Sequence, residues 1–106
     1  RHRQTQLRHL FELVRASPKP VIVAGDFNTF WGAHEMSLFM EAAGLRSANR
    51  ERLPSWPARR PRMELDFILH GREISVDAFS VADVTWSDHR PLICDFRVNA
   101  RQRRAA

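Results

Sequence analysis

The chain has 106 residues and a formal net charge of +5, and 43% of its residues are apolar. This length suits one domain, and the apolar share can fill a modest core, which excludes wholesale disorder. The single cysteine, Cys94, excludes an internal disulfide framework and a zinc cluster built from cysteines. No apolar run approaches the roughly 18 residues that a membrane span needs.

The positive charge is concentrated at the two ends of the chain. Arginines at positions 1, 3, 101, 103 and 104 account for the whole excess, so the body between them is neutral. We therefore interpret 1–106 as one domain with basic, solvated tails at 1–3 and 101–106. A neutral body does not indicate tight, sequence-independent binding to duplex DNA. No apolar segment leads to a small-residue cleavage site, so the sequence predicts no signal peptide and favours a cytoplasmic location.

The first half of the sequence predicts helix, strand and helix. Apolar residues recur at helical spacing over 4–16, and the prolines that follow end this first helix. Residues 21–24 are a short apolar run rich in β-branched side chains, which predicts a strand buried on both faces. Helical spacing returns over 34–43, and Gly44 stands where a helix commonly ends.

The second half predicts a long loop and three strands. Residues 45–61 are rich in Arg, Pro and Ser, and loops of this length in compact domains tend to be functional or disordered. Alternating apolar residues predict a strand over 63–69, and a turn at 70–73 then predicts a hairpin with a returning strand over 74–82. The same alternation predicts a last strand over 92–98.

These elements predict an α/β (α+β) fold: one mixed sheet of about four strands with two helices on one face. Nothing in the chain covers the other face, and a bare apolar sheet face usually signals an interface. One functional hypothesis is therefore a catalytically silent interaction module, which pairs through this face with a second copy or another protein.

Three short polar motifs stand at strand ends or within strands, where ligands of α/β sheets gather. Taken singly, each also fits a turn or a solvated polar segment. The motifs are Gly25-Asp26-Phe27-Asn28, Glu64-Leu65-Asp66-Phe67-Ile68-Leu69 and Ser87-Asp88-His89-Arg90-Pro91.

In this order and spacing, the motifs resemble the C-terminal half of the endonuclease/exonuclease/phosphatase superfamily, which has the deoxyribonuclease-I-like fold. The resemblance runs from about Leu7 to Val98 and includes the Trp56-Pro57 pair before the Asp66 strand. It implies that the predicted sheet is half of a four-layer sandwich. The other half contributes a metal-binding Glu, an Asn and a further His to the cleft, and no segment here matches it.

The resemblance also implies a role for each residue of the motifs. Asp88 is expected to bind the metal, Mg²⁺ or Mn²⁺, and His89 to contact the phosphate as a hydrogen-bond donor or acid. Asp66 is expected to hold His89 and fix its tautomer, as the carboxylate of a serine-protease triad does. Asp26 is expected to orient or deprotonate the attacking water, and Asn28 to donate to the phosphate.

The implied activity is metal-dependent hydrolysis of a phosphoester, by a nuclease or a phosphatase that this chain represents as a fragment. Because half of the implied cleft is missing, the isolated chain could lack activity. Trp31 and Trp56 with Arg60 and Arg62 flank the motifs, and such residues suit nucleotide stacking and phosphate contact. The alternative for these four residues is that Trp56 packs the loop and the arginines are a solubilising surface.

Overall fold

The computed structural model describes residues 2–27 and 32–99, with side chains from residue 6 onward. Asn28, Trp31 and the predicted tail at 101–106 lie outside the described residues. The elements are α1 (His2–Ala16), β1 (Ile22–Asp26), α2 (Gly32–Ala43), β2 (Arg46–Ser47), β3 (Asp66–His70), β4 (Ile74–Val81) and β5 (Leu92–Val98).

Both predicted helices are confirmed. The apolar stripe of α1 packs against the core through Leu7, Leu10, Phe11 and Val14. Helix α2 ends where Gly44 adopts a left-handed conformation at φ 69°. The Gly44 N–H then donates to the Glu41 carbonyl at 3.3 Å, which satisfies a carbonyl that the helix leaves unpaired. Neither helix in the described part of the chain is long and apolar enough to cross a membrane.

The strands form two small antiparallel sheets, so the α+β class is confirmed and the single mixed sheet is wrong. One sheet has the order β1-β3-β2, and the other pairs β4 with β5. The predicted hairpin of β3 with β4 is also wrong. Strand β3 has β1 along one edge, and on the other edge β2 pairs with Leu69 and His70, so the end from which a hairpin with β4 would start is already paired on both sides. Strand β4 pairs with β5 instead, from Ile74 opposite Val98 to Val81 opposite Leu92.

The core lies between the two helices and one face of the β1-β3-β2 sheet. Leu69 at its centre has 0% of its surface exposed. Phe27 meets Phe67 edge-on, with ring centroids 5.6 Å apart. The buried members of this core are Val14, Phe27, Met36, Phe39, Leu45 and Leu69. Since both helices contribute to it, the prediction that they share one face of the sheet is confirmed.

In the described part of the chain, no helix packs on the opposite face of this sheet. Val23 packs against the core, but its neighbour Ile22 points to the other side and is 39% exposed. The prediction that this strand is buried on both faces is therefore wrong. The β-branched run indicated a strand correctly, but burial on the second face depends on what packs there. Asp26 and Asp66 lie on this helix-free face.

Candidate active site

Two carboxylates face each other across neighbouring strands. Asp26 is the last residue of β1 and Asp66 the first of β3, and the antiparallel register pairs them directly. Directly paired residues lie on the same face of a sheet, and like charges in this position destabilise the pairing. The pair therefore lowers the stability of the strand ends unless a cation or a proton compensates for it.

His89 supplies that compensation. Its Nδ1 lies 2.7 Å from Asp66 Oδ2, and its Nε2 lies 3.8 Å from Asp26 Oδ2. The hydrogen bond to Asp66 raises the pKa of His89, and the negative charges of Asp66, Asp26 and Asp88 act in the same direction, while partial burial opposes them. The protonated imidazole is therefore stabilised between the two carboxylates, with Nε2 directed at the more exposed one.

The turn that carries His89 is anchored to the long loop by backbone hydrogen bonds. The Ala58 N–H donates to the Asp88 carbonyl, and the Arg90 N–H donates to the Ser55 carbonyl, each at 2.8 Å. Within the turn, the His89 N–H donates to Ser87 Oγ at 3.3 Å. The long loop thus fixes the position of His89.

Arg90 reinforces this anchorage with its side chain. Its Nε–H donates to the Ala58 carbonyl at 2.7 Å, and its Nη2 lies 3.0 Å from Asp83 Oδ1. Only 18% of the Arg90 side chain is exposed. The guanidinium is therefore engaged in holding the turn, and we assign it a structural role.

Ser55 contacts the cluster although it lies outside the three motifs. Its hydroxyl donates to Asp66 Oδ2 at 2.7 Å, and the residue is completely buried. Ser55 and Asp66 lie 11 positions apart, on a loop and a strand whose contact depends on the tertiary fold. Its only signal in the sequence is its position just before Trp56-Pro57, at the entry to the Asp66 strand.

The structure brings together three of the five predicted catalytic and metal-binding residues. Ligand atoms of Asp26, Asp66 and His89 all lie within 4.8 Å of one another. Asp88 is exposed beside this group and is not part of it, and its Oδ1 accepts a hydrogen bond from Ser87 Oγ at 3.2 Å. Asn28, the fifth, lies outside the described residues.

The residues predicted to bind substrate are spread over the surrounding surface. Trp56 is half-buried and exchanges backbone hydrogen bonds with Met63, so it holds the two ends of a loop together. Arg60 is exposed. Arg62, also exposed, lines a cavity of about 490 Å³ together with Met36. None of the three clustered residues lines that cavity.

In this cluster the carboxylate oxygens suit a hard divalent cation better than the imidazole nitrogens do. Nδ1 of His89 and Oδ2 of Asp66 are joined by a hydrogen bond, whereas the Asp26 side chain is 51% exposed. Mg²⁺ prefers oxygen ligands and usually keeps only one or two protein carboxylates beside the substrate phosphate. The exposed carboxylates of Asp26 and Asp88 offer such oxygens, and the Asp66–His89 pair stays available for hydrogen bonding.

The comparison with protein families agrees with this arrangement. A sequence model described as the Endonuclease/Exonuclease/phosphatase family matches residues 1–89. The matched segment includes Asp26 and Asp66 and ends at His89, so the whole cluster lies inside it. No solved structure matches the chain.

Proposed function

Because the chain belongs to the endonuclease/exonuclease/phosphatase family, we propose that it carries catalytic residues of a metal-dependent phosphoester hydrolase. The observation that supports this most directly is the position of His89. Asp66 holds its Nδ1 at 2.7 Å, and its Nε2 is directed toward the Asp26 carboxylate, 3.8 Å away. A carboxylate–imidazole pair facing a second carboxylate suits attack by water on a phosphate.

In this proposal Asp26 acts on the attacking water, and His89 acts on the phosphate. Asp26 accepts a hydrogen bond from the attacking water, orients it and takes up its proton as the new P–O bond forms. The ester P–O bond breaks, and the leaving alkoxide or phenoxide is protonated by solvent. Protonated His89 donates its Nε2–H to a non-bridging oxygen, where negative charge grows in the transition state. The Asp66 hydrogen bond is the main cause of the raised pKa of His89, and it favours the charged form of that donor. Asn28 remains a predicted second donor to the phosphate.

Asp88 is the proposed metal ligand, together with Asp26, the exposed carboxylate of the cluster. When bound, Mg²⁺ or Mn²⁺ neutralises charge on the phosphate and polarises its oxygens. The backbone of Asp88 is fixed by the hydrogen bond from Ala58, so its carboxylate is presented from an anchored turn. The fold accommodates nuclease and phosphatase activities alike, and exposed Arg60 and Arg62 suit the phosphate groups of either substrate.

The test is release of nitrophenol from bis(4-nitrophenyl) phosphate with Mg²⁺ and after chelation. We expect hydrolysis that needs the metal, and a loss of about 10²- to 10⁴-fold in Asp26→Ala and in His89→Ala. Asp88→Ala should lower the affinity for the metal. Matched controls are Asp95→Ala on β5 and His9→Ala on α1, which replace exposed residues away from the cluster. Hydrolysis retained in Asp26→Ala or His89→Ala contradicts the assigned roles.

A non-catalytic interaction module remains the second candidate, and exposed apolar residues favour it. Ile22 is 39% exposed on the helix-free face, and Ile93 and Phe96 on β5 are 51% and 46% exposed. A second copy or a missing half of the domain could cover them. Sedimentation equilibrium together with the hydrolysis assay separates the candidates. A stable dimer without metal-dependent hydrolysis supports the module, whereas hydrolysis that is lost in Asp88→Ala supports the enzyme.

A further inference from the structure

The Asp66 carboxylate has a second partner besides His89. Ser55 Oγ donates to Asp66 Oδ2 at 2.7 Å and accepts a hydrogen bond from the Asp66 N–H at 3.4 Å. Ser55 is 0% exposed, so water does not compete for these bonds. One buried hydroxyl thus contacts both the backbone and the side chain of the aspartate.

We propose that Ser55 is a positioning residue that orients the Asp66 carboxylate toward His89 and thereby fixes which ring nitrogen faces the reaction. The catalytic consequence of this inference rests on the proposed function. The geometric part does not, because it concerns only how three side chains of the folded chain are arranged.

The argument starts from the freedom of an aspartate side chain. The terminal torsion of Asp is broad, so one hydrogen bond leaves the carboxylate free to rock. In this structure Oδ2 accepts from both Ser55 and His89, each at 2.7 Å. A carboxylate oxygen has two lone pairs, and two donors from different directions occupy both of them. The direction of Oδ2 is then fixed, and so is the direction from which His89 must approach.

This arrangement selects one tautomer of the neutral ring. An ionised carboxylate can only accept, so the nitrogen facing it must carry the proton. Nδ1 of His89 is therefore protonated, and Nε2 is left toward Asp26. Without the Ser55 hydroxyl, the Asp66 carboxylate can rotate away from the direction of His89, which weakens its hydrogen bond with the Nδ1–H of the ring.

The backbone of Ser55 couples the same residue to the histidine turn. Its carbonyl accepts the Arg90 N–H at 2.8 Å, and its own N–H donates to the Met63 carbonyl at 2.9 Å. Ser55 therefore joins the start of β3 to the turn that carries His89. A side-chain substitution removes only the hydroxyl and leaves both backbone bonds, which makes the orienting contact separable from the fold.

The experiment compares Ser55→Ala with Ser55→Thr, which keeps a hydroxyl, and with Ser75→Ala as the matched control. Ser75 Oγ also donates to a side-chain oxygen, that of Asn99 at 2.9 Å, but far from the cluster. The primary measurement is NMR of the full chain, at a pH where the ring is neutral and with chelator present. It records the Nδ1–H signal and the ring nitrogen shifts of His89, which report the strength of the hydrogen bond from Nδ1 to Asp66.

We expect Ser55→Ala to move the Nδ1–H signal upfield and to weaken it through faster exchange with water, while Ser55→Thr and Ser75→Ala retain the wild-type pattern. In the metal-dependent assay, kcat of Ser55→Ala should fall roughly 10- to 100-fold with KM little changed, because the contact acts through Asp66 rather than on the substrate. Ring signals in Ser55→Ala that match those of the wild type overturn the inference, whatever the activity.

The NMR result also separates this inference from the proposed function. If the wild type hydrolyses no phosphoester and Ser55→Ala still moves and weakens the Nδ1–H signal, the proposed function fails and the orienting role of Ser55 stands. If the wild type is active and kcat of Ser55→Ala stays within twofold, the catalytic part of the inference fails.

Discussion

The substitution Asp66→Asn tests the central hydrogen bond of the cluster. It keeps the size and shape of the side chain but removes the charge that His89 Nδ1 meets at 2.7 Å. The hydrogen bond to Asp66 is the largest influence raising the pKa of His89, so in the variant this pKa should move back toward its ordinary value of 6.5. The charged Nε2–H donor is then lost at a lower pH than in the wild type.

The size of the effect follows from two opposing changes. A hydrogen bond to a charged group contributes about 1.5–3 kcal/mol. Removing one of two carboxylates paired across the strands relieves repulsion of roughly 0.2–1 kcal/mol. We therefore expect a net loss of roughly 0.5–3 kcal/mol in the free energy of unfolding at mildly acidic pH. The loss in kcat should be larger, about 10²- to 10⁴-fold, because the donor to the transition state is affected directly.

The assay is initial-rate hydrolysis of bis(4-nitrophenyl) phosphate with saturating Mg²⁺, beside urea unfolding of the same samples. Asp77→Asn is the matched control. Asp77 accepts a hydrogen bond from Arg97 Nε at 3.0 Å on the second sheet, and the Arg97 side chain is 70% exposed. Such a surface pair contributes about 0.2–1 kcal/mol and should leave kcat within twofold. An Asp66→Asn enzyme that keeps at least a third of wild-type kcat would refute the reasoning, as would an equal loss in Asp77→Asn.

Three further outcomes follow from the structure. With chelator present, protonated His89 should contribute fully to stability below pH 6.5, and this contribution should disappear as the pH rises through the raised pKa of the native state. The thermal midpoint of the wild type should therefore fall over this pH range relative to that of His89→Gln. A midpoint that does not fall contradicts the prediction. Burial, and to a smaller degree the Asp95 carboxylate, raises the pKa of the Cys94 thiol, so alkylation at neutral pH should be slower in the folded chain than in urea; equal rates count against this. Leu69→Ala should lower the free energy of unfolding by about 2–5 kcal/mol, because Leu69 is 0% exposed and its truncation leaves a cavity. A loss of less than about 1 kcal/mol in a urea titration would show that the core tolerates the cavity.

Much of the candidate site could be predicted from local sequence. Each of the three residues stands in a short motif: Asp26 ends an apolar run, Asp66 precedes one, and His89 lies in the polar turn before the last strand, so all three lie near strand ends, where ligands gather. The two helices could be predicted for a similar reason, because their apolar residues repeat with the helical period over more than two turns. Periodicity and residue type are properties of neighbouring positions, so the sequence alone determines them.

Strand pairing was decided by the tertiary structure. The turn after His70 favoured a hairpin of β3 with β4, but β3 pairs with β1 and β2, and β4 pairs with β5. Alternation along a strand specifies which face is apolar, and it does not specify which strand lies beside it. The same limit explains the exposed Ile22, whose burial depends on a covering layer rather than on its own β-branched side chain.

The sequence by itself thus determined the elements and the residue types that do the chemistry, and the fold decided how those residues meet. Only the β1-β3 register pairs Asp26 with Asp66, and only the anchored turn brings His89 to them from 23 positions beyond Asp66. Ser55 also joins the site through the fold, because the residues next to a loop serine do not indicate which carboxylate it will contact. Contacts between distant positions arise from packing and register, which no short stretch of sequence contains.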